Sequence, residues 1–416
     1  MLRAIPDASI HAVVTDPPYA LVSIGKRFGK EGAAPAQFGR DGAYSRASAG
    51  FMGQQWDTGE VAFAAEFWSE VLRVLKPGGH VAAFSHVRTY HRVACAIEDA
   101  GFEIRDQLAW CYATGFPKGI PLGKHVDAEL GIDWWDETER ERGEVSHAHA
   151  YLDAFDIALK PAWEPIALAR KPLEGTVAAN VLAHGAGALN IDGCRVGDEV
   201  RRAAFTSLAP CSGNALGAAG TSEARRGTQG DIKTYVGRWP ANIVHDGSPE
   251  VVAAFPEAPG ALRAVTGNEP SSPFANVYGD MPSRAGGAIP RGDSGSAARF
   301  FYSAKADSDD RLGSKHPTVK PVDLMQWLCR LVTPPGGTVL DPFAGTGTTG
   351  EAAWREGFSA VLVEREAEYQ ADIRRRMGLC LAGPAERKRE SVKARAANDD
   401  PGPLFGAVHQ QKRAAE

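Results

Sequence analysis

A chain of 416 residues, 44% apolar and 23% charged, has the make-up of a soluble globular protein, roughly two to three average domains or one large elaborated one. Its formal charge of -5 excludes a protein that is basic all over, yet leaves room for a local basic cleft that holds nucleic acid. Six scattered cysteines without a CxxC pair or a histidine cluster indicate neither a metal site nor a disulfide framework, no apolar run reaches the roughly 18 residues of a membrane span, and the start lacks a secretory layout, so a cytoplasmic protein is expected.

The first element is a strand over His11 to Thr15, whose β-branched run stops on Asp16-Pro17-Pro18-Tyr19. Two prolines cannot continue a strand, so Asp16 and Tyr19 fall at its carboxyl end, the edge where open α/β sheets bind ligands. Taken alone, the tetrapeptide reads first as a proline-stiffened turn after a core strand. From Ala20 to Asp57 the composition of Gly, Ala and Ser with isolated aromatics predicts a long loop, either a substrate clamp or a disordered insertion. Val61 to Leu75 has helical spacing and is closed by Lys76-Pro77-Gly78-Gly79. A buried strand over His80 to Ser85, a helix over His91 to Ala100 and a strand over Phe102 to Trp110 follow, a rhythm that predicts a mostly parallel sheet with right-handed crossovers.

The middle, from about Ala113 to Ala298, breaks the rhythm and is expected to form an inserted recognition region. It holds a brief helical signal at Lys124 to Leu130 and low-complexity stretches at Ser212 to Arg226 and Ser271 to Ser296. Its most structured part, Lys160 to Lys171, predicts a strand returning to the sheet; Lys160, Trp163, Arg170 and Lys171 there suit either nucleic acid or an ordinary solvated strand end. Regularity returns with His316-Pro317-Thr318-Val319-Lys320-Pro321, a helix over Pro321 to Val332, and a strand Thr338-Val339-Leu340 ending on Asp341-Pro342-Phe343. Past Met377 the composition turns charged, and 381–416 is expected to be a disordered tail.

After the second acid-ended strand the chain runs Gly345-Thr346-Gly347-Thr348-Thr349-Gly350 into a helix at Glu351 to Arg355, then a strand at Ala360 to Val363 that closes on Glu364. This is a GxGxxG turn with an acid about twenty residues on, the layout that lets a cofactor lie against bare backbone while the acid accepts hydrogen bonds from ribose hydroxyls. Any adenosine-containing cofactor fits it. The phosphate loop of ATP-binding proteins does not, since the Gly-Lys-Ser/Thr ending is missing.

Together, Asp16-Pro17-Pro18-Tyr19 and Asp341-Pro342-Phe343-Ala344-Gly345-Thr346-Gly347 resemble the amino-group DNA methyltransferases that use S-adenosylmethionine, in the motif order of their β group. The resemblance covers roughly Ala4 to Trp110 and Phe300 to Met377. It implies an α/β, Rossmann-like methyltransferase fold of permuted motif order, with a catalytic half at 1–112, target recognition at 113–298 and a cofactor half at 299–380. It also implies that Asp16, Pro17, Pro18 and Tyr19 are catalytic: the Asp16 carboxylate and Pro17 carbonyl accept the hydrogens of an exocyclic amino group, and Tyr19 stacks on an extruded base. Asp341, Phe343, Gly345, Gly347 and Glu364 hold S-adenosylmethionine, with Thr318 and Lys320 near its amino-acid end, and no metal is involved. An acid before the prolines tilts the product towards N6-methyladenine over N4-methylcytosine. Double-stranded DNA is the implied partner; a homodimer and a companion restriction nuclease are left open. Members of the group carry a Gly-Asp segment ahead of the catalytic strand, whereas this chain opens on Met1-Leu2-Arg3, so the start is truncated or Asp7 or another residue substitutes. Two other readings stand beside this one: a nicotinamide-dependent oxidoreductase, and a DNA-binding protein with a catalytically impaired methyltransferase fold.

Overall fold

The computed structural model describes residues 1–19, 61–113, 159–204, 232–257, 295–304, 308–314, 316 and 318–399, with isolated positions between 115 and 155. The loop expected at 20–57, the brief helix at 124–130 and the low-complexity stretches at 212–226 and 271–296 lie wholly or nearly so outside the described residues.

In chain order, β1 (Ile10–Thr15), α1 (Ala65–Val74), β2 (Leu75–Phe84), α2 (Tyr90–Asp99) and β3 (Glu103–Cys111) keep the expected rhythm. Then come β4 (Trp163–Arg170), α3 (Val177–His184), β5 (Val196–Ala204), β6 (Ile232–Arg238), β7 (Ile243–His245), α4 (Pro249–Ala254) and β8 (Tyr302–Ser303). The last part holds α5 (Val322–Val332), β9 (Thr338–Asp341), α6 (Thr348–Arg355), β10 (Ser359–Leu362), α7 (Ala367–Ala382) and α8 (Pro384–Asp399). Eight strands form one Rossmann-like sheet in the order β10-β9-β1-β2-β4-β3-β7-β8, and β5 with β6 makes a separate hairpin. All neighbours in the large sheet are parallel except β4, which runs antiparallel between β2 and β3.

Strand alternation assigns each side chain to one of two cores. Ala12 and Val14 of β1 face α5, whose Leu324, Met325, Trp327 and Leu328 are almost fully buried, while Val13 faces Trp68, Val71 and Val74 of α1 and Ile97 of α2. Helices on both faces explain why the parallel strands read as continuous apolar runs. The two chain ends meet at the centre, where β1 pairs with β2 on one side and with β9 on the other.

Four features differ from expectation. Lys76-Pro77-Gly78-Gly79, read as the stop after a helix, belongs to β2. Gly78 takes a φ of +76°, and a Cβ there would lie 2.5 Å from Asn180 Nδ2, so the strand passes close under α3 and only glycine fits. Residues 113–298 supply not only β4, the strand expected to return, but also β7 to the large sheet. Arg170 and Lys171 are structural rather than presented to nucleic acid: Arg170 pairs with Glu103 at 2.7 Å, and Lys171 donates to the carbonyls of Leu72 and Leu75 at the end of α1. The tail expected to be disordered forms α8 over Pro384–Asp399, anchored where the Arg387 guanidinium lies 2.7 Å from Glu351. No described helix is long and apolar enough to cross a membrane.

Candidate active site

The carboxyl ends of β1 and β9 lie side by side, so Asp16 and Asp341 border one cavity of about 890 Å³. Pro17, Pro18, Tyr19, Thr318, Lys320, Phe343, Gly345 and Glu364 line it as well, within the size range of small-molecule sites. Most residues singled out from the sequence thus share one space although they come from opposite ends of the chain.

The two acids are engaged differently. Asp341 is 2% exposed and accepts from Thr15 Oγ1 at 2.6 Å, Thr349 Oγ1 at 2.5 Å and the Phe343 amide at 3.1 Å. It ties β1, β9 and α6 together and sets the path of the glycine turn. Burial pushes its carboxyl up to about 6, the three donors only partly opposing. Asp16 instead accepts a single bond, from Lys320 Nζ at 2.7 Å to Oδ2, and its Oδ1 is buried without a partner. A buried acceptor left unpaired is costly and marks a position where a donor is missing.

Lys320, expected near the cofactor, faces the acid-proline turn. Its side chain is 6% exposed, and its ammonium reaches Asp16, the Tyr19 hydroxyl at 3.0 Å and Glu164 at 3.1 Å. Burial alone would lower its pKa, but the two carboxylates more than offset this and hold it charged, above the ordinary lysine value. The Tyr19 hydroxyl donates to Glu164 Oε2 at 3.0 Å; burial, with Asp16 and Glu164 beside it, pushes this phenol well above the usual tyrosine value. Tyr112 lies 3.5 Å from Glu164 Oε1. Glu164 reaches the site because β4 is antiparallel, so its first residues fall at the ligand edge where β1 and β2 end.

The glycine turn is shaped by backbone that side chains disfavour. Gly345 has φ +50° and Gly347, which starts α6, has φ +80°. A Cβ on Gly345 would come within 3.3 Å of His316 Nε2. Glu364 accepts from the Gly345 and Glu366 amides, each at 2.8 Å, and so both shapes the turn and borders the cavity. Phe343 packs on Phe67 of α1 with ring centroids 5.1 Å apart. His316 stands edge-on to Tyr369 at 4.5 Å, bonds the Thr318 carbonyl, and is held below its usual pKa chiefly by burial. The amino-terminal turn, Met1 to Arg3, lines the cavity too; Asp7 does not, being ion-paired with Arg73.

Sequence reasoning missed Glu164, Tyr112, His316 and Phe67. The available signal for Glu164 was a lone acid in an otherwise apolar strand, Trp163 to Ala169. Nothing local tied it to Lys320 or Asp16. Among the described residues no group of histidine, cysteine and acidic side chains is arranged to hold a metal ion.

A family model described as DNA methylase matches residues 10–180 and 233–375. The Type II methyltransferase M.HindIII of Haemophilus influenzae is 26% identical over 219 residues, 45% of this chain and 61% of that protein. The Type II methyltransferase M2.DpnII of Streptococcus pneumoniae is 38% identical over 68 residues, 16% of this chain and 25% of that protein. The chain thus spans less than two thirds of the length of either relative. Among solved structures, the cytosine-N4-specific PvuII DNA methyltransferase is similar at a TM-score of 0.41 and 14% identity, over 94% of this chain and 88% of that one.

Proposed function

Because the chain belongs to the N6/N4 DNA methylase family, we propose that it is a site-specific DNA methyltransferase that moves a methyl group from S-adenosylmethionine to an exocyclic amino group, that of adenine N6. The observation that carries this reading is the unpartnered Asp16 Oδ1, buried in the same cavity as a left-handed glycine turn with bare backbone. The cavity suits the cofactor: it has the volume for a nucleoside-sized group, Gly345 lines it with bare backbone, and carboxylate Glu364 retains acceptor capacity beyond its two amide bonds. When bound, S-adenosylmethionine supplies a methyl group activated on a sulfonium.

The chain's own residues supply the rest. An exocyclic amino nitrogen is a poor nucleophile because its lone pair is delocalised into the ring. Asp16 Oδ1 and the Pro17 carbonyl would accept its two hydrogens, favouring a pyramidal nitrogen, and Asp16 would hold the proton released on transfer. The ring of Tyr19 offers a stacking face for the base, and Pro17 and Pro18 fix the turn in place. Phe343 and Gly345 would pack along the methyl donor, Gly347 would shape the turn from outside the cavity, and Glu364 would bind the ribose. A base within a duplex cannot reach an acid at the end of a strand inside a cavity, so the reading requires extrusion of the target base. Nicotinamide chemistry gives Asp16 and its lysine no work, and an impaired binding protein would not need the free oxygen. The reading places the protein in the cytoplasm with DNA as substrate; self-association is an expectation that sedimentation of the pure protein checks.

The test is incubation with labelled S-adenosylmethionine and duplex DNA of varied sequence, followed by nucleoside analysis. Labelled N6-methyladenine is expected. N4-methylcytosine would reassign the base, and no methylated nucleoside at all would overturn the function.

A further inference from the structure

Glu164 is not required by the reading above, yet it is built into the same cluster. Lys320 presents three N–H donors and faces three oxygens: Asp16 Oδ2 at 2.7 Å, the Tyr19 hydroxyl at 3.0 Å and Glu164 Oε2 at 3.1 Å. Its donors are therefore spent. Its ammonium also lies 4.9 Å from the centroid of Phe84, which closes the remaining approach. Glu164 Oε2 in turn receives Tyr19 as well as Lys320, and Oε1 faces Tyr112. The cluster carries two carboxylates against one ammonium and leaves one acceptor without a partner. As a device for stability this is poor, since buried ion pairs seldom repay their desolvation and an orphaned oxygen adds to the debt.

An ammonium beside a single carboxylate can fork across both of its oxygens. Here a second carboxylate draws it to the other side, so Lys320 touches only Oδ2 of Asp16. We propose that Glu164 is a positioning residue for methyl transfer: by sharing Lys320 with Asp16 and holding the Tyr19 hydroxyl, it keeps Asp16 Oδ1 free and aimed at the amino group. The inference rests on the methyltransferase reading. Glu164 itself touches neither reacting atom; it acts through Lys320 and Tyr19.

The experiment uses the full chain, duplex DNA and labelled S-adenosylmethionine, with cofactor binding read by calorimetry. Glu164→Gln keeps the size and an acceptor oxygen but removes the charge. It is expected to lower kcat by about 10- to 100-fold, the scale of a misaimed reacting group, while leaving the cofactor dissociation constant and the KM for DNA essentially unchanged. Lys320→Met lowers kcat at least as much, and the double variant is no slower than Lys320→Met alone, because Glu164 acts through the lysine. Glu164→Asp, which restores the charge, recovers part of the rate. A merely structural role for Glu164 would multiply with Lys320→Met or weaken cofactor binding in parallel with kcat, and either result overturns the inference. So does a Glu164→Gln enzyme as fast as the wild type. If Glu164→Gln does not fold, Tyr19→Phe removes the shared hydroxyl while keeping the ring, and an unchanged kcat there overturns the proposal. Wild-type protein that binds the cofactor but methylates no DNA would overturn the function, and this inference with it.

Discussion

Both oxygens of Asp341 are taken, by the hydroxyls of Thr15 and Thr349 and the amide of Phe343, while Asp16 keeps one oxygen without a partner. The two aspartates look alike in the sequence, each an acid before proline at the end of an apolar strand. What separates them is the company of threonines, and no spacing rule announces it. Asp16→Asn should abolish the acceptor charge while preserving shape, with kcat falling by about a thousandfold. Calorimetry should find cofactor binding retained, because the variant leaves the glycine turn intact. Asp341 has a different signature. Its folded value, about 6, lies above the ordinary 3.8, so the stability it contributes is fully present below about pH 3.8 and is lost as pH rises through about 6. Wild type should therefore lose up to about 3 kcal/mol relative to Asp341→Asn as pH climbs from 4 to 7. Denaturant melts of the pair at several pH values measure it; a constant difference would show that Asp341 is ionised throughout.

Several helices and strands of the large sheet were legible because they carry a strong pattern, β-branched runs in β1 and β9 and helical apolar spacing in α1 and α5, whereas the short β7 and β8 carry none. Less was legible where long-range packing overrode local signals. Pro77 and Gly78 sit inside β2, since α3 crosses so close that a side chain would collide. The charged segment past Gly383 has almost no apolar periodicity, yet it forms α8 because Glu351 lies buried and needs cations. That carboxylate meets Arg376 at 2.6 Å, Arg355 at 2.7 Å and Arg387 at 2.7 Å. Burial opposes its ionisation, but the three guanidiniums overcome it and hold its pKa below the usual glutamate value. Arg376 also donates to the Thr346 carbonyl at 2.8 Å, which clamps the glycine turn from behind. Arg376→Met should cost about 3 to 5 kcal/mol, because it leaves a buried charge short of its main partner. Chemical denaturation reads the loss, and weaker cofactor binding should accompany it through the loosened turn.

At the scale of the whole molecule, the meeting of the two chain ends at one cavity was legible from their motifs, whereas the extent of the middle region was not. The strand over Trp163 to Arg170 was expected to return to the sheet, and it does; its insertion between β2 and β3, running antiparallel, depends on pairings that no local pattern encodes. A practical consequence concerns β5 and β6. Ala204 and Ile232 face each other as partners, so replacing residues 205–231 with a tight Asn-Gly turn should preserve the hairpin and leave the large sheet untouched. Circular dichroism and cofactor binding equal to wild type are the expected result, while removal of 159–204 should abolish folding because it takes β4 from the sheet. The central place of β1 has one more consequence. A ribosome releases β1 long before β9, although the two are hydrogen-bonded neighbours. During synthesis β1 must wait with an apolar edge unpaired, the condition that makes such topologies slow to mature and prone to aggregate. Asp16 likewise gains its bond from Lys320 only after the long intervening chain has been made, so an unfinished copy carries the acid without its ammonium.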